Sequence, residues 1–330
     1  MKDKKVLMFG PSFFGYAECI AAQLRAMGAE VDLYDERPNN GVVCKTMLRY
    51  NIRLYYPKVA AYYQSVAEQN SHRDYDYIFV IKSEAIDAGI LQMLRARFPK
   101  AQCILYLWDA VDNVPSGKEK IRLYDRVLTF DHVDAKTYGM TLRPLFFRKD
   151  YAGTDAGKTD FTYDVAFIGT AHSIRPRVVQ AIEQLCEKEG RTCFKFLFLP
   201  HLLVFWYNKL LNPAYRKVRK ADISFTSMTT AQIRDVYDDS RCILDVEHVA
   251  QRGLTMRTIE MVGMGKKLIT TNAGIRQYDF YNPDNICIID RDDPQIPEAF
   301  WTSGYAPIPP EILRKYSLAY FVQEIFGIKE

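Results

Sequence analysis

Several things are missing from this sequence, and each absence excludes something. The seven cysteines are scattered, odd in number and never spaced Cys-x-x-Cys. A disulfide framework or zinc site is therefore not expected, and a reducing cytoplasm fits. The five histidines form no cluster with aspartates at metal-ligand spacing, so no metal is expected. No apolar run reaches the roughly 20 residues of a membrane span. The opening MKDKKVLMFG lacks the long apolar stretch and cleavage site of a secretory signal. Charge of one sign is missing too: 44 basic and 40 acidic residues leave +4, too mild to imply nucleic acid. These absences predict a cytoplasmic protein that touches a membrane at most peripherally, on its inner face.

What is present is ordinary globular material in unusual order. The 330 residues suit two domains better than one core, and 48% hydrophobic with 25% charged residues argues against disorder. The 22 tyrosines and 19 phenylalanines suit sugar faces, but they are equally core and interface material. Apolar runs alternate with helical spacing. Residues 5–9, 30–34, 77–81, 103–107 and 126–130 read as strands, with helices over 16–27 and 86–97 between them. The first turn, GPSFFG, is not Gly-x-Gly-x-x-Gly, which argues against a dinucleotide cofactor. Residues 151–163, YAGTDAGKTDFTY, are polar and read as a linker. The alternation then restarts: strands over 164–168, 194–199, 242–246 and 267–271, and a helix over 176–189. Each half is predicted to be a doubly wound α/β sheet.

In such sheets, ligands bind beyond the carboxyl ends of the strands. Lys82, Asp109 and His172 stand at such ends. Asp131 and Asp134 do as well, but they read mainly as helix caps. The richest stretch is 251–272, QRGLTMRTIEMVGMGKKLITTN. Gly253 opens a turn, a helix follows, and Gly263 and Gly265 are expected to break it. A helix N-terminus offers unpaired N–H groups to a diphosphate. Arg257 can add a charged fork, and Glu260, one turn on, can accept from ribose hydroxyls. Glu260 is equally readable as a solvated charge, or as a partner of Lys266 or Lys267. Residues 201–222, HLLVFWYNKLLNPAYRKVRKAD, join apolar and aromatic side chains to five cations. They read as a basic amphipathic segment for a membrane surface, or as one packed on its own domain; Pro213 interrupts the helix. A helix over 311–326 is expected to close the fold.

YLWDAVDN (106–113), FDHVDAKTYGMTLRPLFF (130–147), DVAFIGTAHSIR (164–175) and ILDVEHVAQRGLTMRTIE (243–260) resemble GT-B glycosyltransferases. The likeness is to the CgeB-like and the capsular or lipopolysaccharide biosynthesis enzymes. The resemblance implies an α/β fold of two Rossmann-like doubly wound domains facing across a cleft. These are an acceptor-side domain over 1–155, a nucleotide-sugar domain over 156–304 and a closing helix over 305–330. It implies a metal-independent transfer from a UDP-, GDP- or CDP-sugar to a surface polysaccharide, lipopolysaccharide or lipid-linked glycan. Gly253, Thr255 and Arg257 would face the phosphates, with Gly169 and Thr170 beside them. Glu260 matches the last glutamate of a Glu-x7-Glu pattern, which holds the ribose. The first falls on Arg252, so a retaining mechanism does not carry over. Lys82, Asp109 and His172 would face the reacting sugar, Asp109 being the first choice of base and His172 the second. A non-catalytic partner in a polysaccharide assembly complex and a GT-B-type sugar-nucleotide epimerase stand as alternatives.

Overall fold

A computed structural model describes residues 1–12, 15–41, 44, 47, 48, 52–153, 158–248 and 252–328, the side chains of 52 and 53 excepted. The chain forms two compact units, Met1–Leu145 with Leu318–Glu330, and Phe146–Ser317. The divide falls at 145/146, ten residues before the boundary expected at 155/156. Tyr151, in the expected linker, is buried, and the Gly153 N–H donates to the Gly263 carbonyl at 2.8 Å. The second unit therefore begins upstream of its first strand. Residues 154–157 of the expected linker, Phe13 and Phe14 of the GPSFFG turn, and Gln251 lie outside the described residues.

The first unit holds β1 (Lys5–Gly10), β2 (Glu30–Asp35), β3 (Tyr77–Ile81), β4 (Gln102–Leu107), β5 (Arg126–Thr129) and β6 (Thr141–Leu142). Among the described residues they form one parallel sheet in the order β2-β1-β3-β4-β5-β6. A parallel sheet is covered on both faces, which is why these strands are continuous apolar runs. Val6, Leu7, Met8 and Phe9 are fully buried, as are Ile78 to Ile81. The helix Tyr16–Ala26 packs on the sheet, mainly beside β2, and buries Tyr16, Ala17, Ile20, Ala21 and Leu24, one stripe of an amphipathic helix. The order reverses direction between β1 and β3, so their carboxyl ends flank a switch point.

The second unit holds β7 (Tyr163–Thr170), β8 (Cys193–Phe198), β9 (Ile223–Ser224), β10 (Ser240–Asp245), β11 (Lys267–Thr270) and β12 (Ile286–Ile288). Their order is β12-β11-β10-β7-β8-β9, again parallel throughout. In order of appearance this is 6-5-4-1-2-3, the Rossmann winding, with its switch point between β7 and β10. The expectation of two doubly wound sheets holds, with a different strand order in each.

Two local expectations fail. Gly263 does not break the helix: Met256–Met264 runs through it, and only Gly265 ends it, as a left-handed cap with φ 71°. Gly263 is instead a packing position, where a Cβ would lie 2.4 Å from the Phe147 ring. The single closing helix is really two, Pro310–Lys315 and Leu318–Phe326, parted where Ser317 bridges to Phe147. The second of these packs on the first unit's sheet, with Phe321 edge-on to Tyr106 at 4.9 Å and Phe326 edge-on to Tyr77 at 5.0 Å. Among the described residues no helix is long and apolar enough to cross a membrane.

Candidate functional site

The switch point of the second unit gathers most of the residues singled out in the sequence. β10 ends on Asp245, which is fully buried. Its Oδ2 accepts from the Thr255 and Thr258 hydroxyls, each at 2.7 Å. Its Oδ1 accepts from Arg257 Nη1 at 3.2 Å. Thr255 is the N-cap of the helix Met256–Met264 and accepts from the Thr258 N–H at 3.2 Å. One carboxylate thus pins the first turn of this helix at the end of β10. The free N–H groups of that turn are held in place beside the strand edge.

Arg257 is drawn inward. Its Nε donates to the Tyr237 hydroxyl at 3.2 Å, and its Nη2 donates to the Ile168 carbonyl on β7. The guanidinium lies 5.2 Å from the centre of the Phe167 ring. A Cβ at Gly169 would sit 3.1 Å from Nη2, so Gly169 leaves room for the arginine as much as for any ligand. Glu260, one turn further along, is buried close to Tyr151, Tyr237 and Arg257, which rules out the solvated-charge reading. Lys267 turns away to the Phe300 and Ser303 carbonyls. Gly253 is buried in the bend ahead of the helix, its carbonyl accepting from Asn272 Nδ2 at 3.4 Å.

The other side of the switch point is the turn after β7. The Thr170 hydroxyl accepts from Arg175 Nη1 at 3.1 Å, and Arg175 Nε donates to the Val246 carbonyl at 2.7 Å. His172 lies half-buried, its ring centre 5.9 Å from that of His248. Burial, with repulsion from Arg175, His248 and Arg257, pushes the His172 imidazole down to about 4. Arg175 is pushed down to about 10, by burial first and then by Arg257. Arg257 is thus answered by Asp245 and Glu260, whereas Arg175, beside a neutral His172, bonds only to neutral oxygens among the described residues. Such a group gains from an anion.

Sequence reasoning missed Arg175, Asp245 and Thr258. The topological rule that selected His172 and Gly169 applies to the last residue of ILD in β10 as well. Arg175 stands three residues beyond His172.

In the first unit, Lys82 and Asp109 come together as an ion pair of 2.9 Å. Glu84 Oε2 lies 3.9 Å from Lys82 and accepts from Arg37 Nε at 2.9 Å. Lys82 and Ser83 both have positive φ, 80° and 57°, which is strained backbone for residues with side chains. The turn is held there by Lys120, whose buried ammonium donates to the carbonyls of Ser83 at 2.6 Å and Glu84 at 3.1 Å. Beneath it lies Glu36, fully buried, accepting from the Ala85 N–H at 2.6 Å. Burial, with the nearby Glu84 charge, pushes Glu36 up to about 7, against the pull of the Ala85 N–H. Here Asp131 and Asp134 act structurally: Asp131 caps the helix His132–Tyr138, and Asp134 accepts from the Val111 N–H at 2.7 Å.

The sequence also holds two Asp-x-Asp triplets, at 74–76 and 290–292. Asp74 and Asp76 pair with Lys100 and Lys4, and Asp290 accepts from the backbone of Asp292 and Asp293. Among the described residues no three His, Cys, Asp or Glu side chains are grouped to hold a metal ion.

No protein-family model and no curated protein matches the sequence. Solved structures do match in fold. The lipopolysaccharide outer core galactosyltransferase WaaB aligns over 98% of both chains with TM-score 0.54 and 13% identity. HepE of Anabaena, solved with UDP and glucose, aligns over 98% of both chains with TM-score 0.62 and 12% identity. A trehalose-6-phosphate synthase, studied for glycosyl transfer with retention, aligns over 99% of this chain and all of its own, with TM-score 0.63 and 12% identity. The chain has the fold of these GT-B glycosyltransferases.

Proposed function

We propose that this chain is a glycosyltransferase that moves a sugar from a nucleotide-sugar donor to a glycan acceptor. A surface polysaccharide, a lipopolysaccharide or a lipid-linked glycan is the acceptor class in this reading. The observation that carries it is the β7/β10 switch point. There a carboxylate-locked helix N-terminus meets a neutral His172 and Arg175, a cation that among the described residues bonds only to a hydroxyl and a carbonyl and still lacks an anion. A nucleoside diphosphate supplies that anion. In transfer, the bond between the anomeric carbon and the diphosphate oxygen breaks, and that oxygen takes the electron pair. The acceptor hydroxyl forms the new bond and gives its proton to a base. Fixed N–H groups and cations aimed at the leaving oxygen stabilise that charge with no rearrangement at the moment of reaction.

In this reading, Arg175 and the helix N-terminus face the phosphates, with Gly169, Thr170, Gly253 and Thr255 shaping the loop around them. Arg257 mainly holds that loop in place. Glu260 meets the ribose, and Asp109 is the base, with Lys82 orienting its carboxylate. His172, neutral near pH 7, donates or accepts a single hydrogen bond at the sugar. No metal takes part. The test is release of nucleoside diphosphate from UDP-, GDP- and CDP-sugars. One of these donors is expected to turn over without added metal, and Asp109→Asn to slow transfer at least a hundredfold, within the range a general base supplies. Wild-type turnover by Asp109→Asn would remove it from the mechanism.

A further inference from the structure

The helix Leu202–Leu211 wears its apolar side outward. Leu203, Trp206, Tyr207, Leu210 and Leu211 fall at i, i+3, i+4, i+7 and i+8, one continuous stripe, and all five are exposed. Leu210 is 83% exposed and Trp206 55%, whereas Phe205 on the other side is buried. Burying this stripe in water-excluding material is favourable, and none of the described residues of the second unit does so. The chain then turns back at Asn212 through Pro213–Tyr215. Lys209 holds this turn against the helix by donating to the carbonyls of Tyr215, Arg216 and Val218 at 3.0, 2.8 and 2.8 Å. Lys209 therefore does not reach outward, contrary to the sequence expectation. Arg216, Lys217 and Lys220 do: all three are exposed, and no Asp or Glu occurs from 201 to 221.

We propose that this helix docks the second unit on an anionic phospholipid surface, lying in the plane of the interface. Ten residues span about 15 Å, too short to cross a bilayer but long enough to lie in its headgroup boundary. Trp206 and Tyr207 are the amphipathic rings that favour that depth, and the three cations meet the headgroups. A second copy of the chain fits the stripe less well. A two-fold contact sets the same patch against itself, bringing Arg216, Lys217 and Lys220 towards their own kind. Vesicle binding needs no nucleotide, so docking can hold even if the transferase reading fails.

The test uses the full chain with vesicles of phosphatidylcholine, alone or mixed with phosphatidylglycerol. Trp206 is an intrinsic probe, since Trp108 and Trp301 are only 8% and 2% exposed. The expected result is cosedimentation with the mixed vesicles only, weakened by salt, with a blue shift of tryptophan emission. Replacing Arg216, Lys217 and Lys220 together by Gln is expected to lower partitioning on the order of a hundredfold, about fivefold for each charge. Leu203→Ser with Leu210→Ser, which keeps the probe, is expected to abolish cosedimentation and the Trp206 shift while leaving the melting temperature unchanged. Absence of binding to the mixed vesicles overturns the proposal, as does binding that survives both sets of substitutions. A wild-type dimer that Leu210→Ser dissociates, with no vesicle binding, assigns the stripe to a second copy and overturns it equally.

Discussion

The two switch points are built alike and charged differently. At the β1/β3 edge of the first unit, Lys82 pairs with Asp109, Arg37 with Glu84, and Lys120 lies by the buried Glu36, so each cation has a carboxyl beside it. At the β7/β10 edge of the second, Asp245 and Glu260 both answer Arg257, whereas among the described residues Arg175 donates only to the Thr170 hydroxyl and the Val246 carbonyl. The first edge closes on itself electrically, and a strong anion entering it would have to displace a carboxylate. The second leaves the Arg175 guanidinium without an ion pair of its own among the described residues. That difference argues for the diphosphate on the second unit and for a neutral, hydroxyl-bearing ligand on the first.

The sharpest way to break this comparison is to remove one carboxylate from each edge. Asp245→Ala leaves Arg257, Thr255 and Thr258 without their shared acceptor in a buried place, and is expected to cost about 3–5 kcal/mol. Asp109→Ala breaks a partly exposed pair and is expected to cost about 1 kcal/mol or less. Equal losses in denaturant unfolding would mean that the two edges are not differently built.

Next in size are two opposite pH dependences. His172 is depressed from 6.5 to about 4, so the unfolded chain binds the extra proton and stability falls as pH drops from 6.5 towards 4. Glu36 is raised from 4.5 to about 7, so the folded chain holds the proton and stability falls as pH rises from 4.5 towards 7. Each is worth up to about 3 kcal/mol. Glu36→Gln is expected to raise the melting temperature at pH 8 but not at pH 4, and His172→Gln to raise it at pH 4 but not at pH 8. Melting curves with the reverse pattern would refute the assignment of burial to these two side chains.

Smaller effects concern the ligand. Arg175→Gln is expected to weaken nucleoside diphosphate binding about thirtyfold, a charge-assisted bond of about 2 kcal/mol, whereas Lys82→Met leaves it unchanged. Calorimetry in which Lys82→Met weakens binding as much as Arg175→Gln would move the anion site to the first unit. Glu260→Gln is expected to weaken binding by about tenfold, through the ribose, beyond the loss of stability from removing a buried charge beside Arg257.

What could be read from the sequence follows from how local each signal is. Strands that are buried on both faces are apolar runs, and their ends are visible, so Lys82, Asp109, Gly169 and His172 could be placed at strand edges. The helix Met256–Met264 is legible behind the turn at Gly253, but the capping by Thr255 is not. The partners of those residues are not legible either, because they come from far along the chain. Arg257 meets Ile168 and Tyr237, so a residue expected to point at a phosphate is held inside. Glu36 looks like part of a polar turn, yet the Ala85 backbone claims it and burial raises it. The helix over 311–326 has helical spacing throughout, but Phe147 takes the backbone of Tyr316 and splits it. Gly263 reads as a breaker until the Phe147 ring fills the place of its side chain.

The most direct measurement is thermal unfolding of the wild type and Arg175→Gln with UDP, GDP, CDP and their sugars, without metal. One nucleoside diphosphate is expected to stabilise the wild type by about 2.7 kcal/mol at a hundredfold excess over its dissociation constant, and Arg175→Gln much less. A wild type that no nucleoside diphosphate or nucleotide sugar stabilises at millimolar concentration would contradict an anion site at the β7/β10 edge.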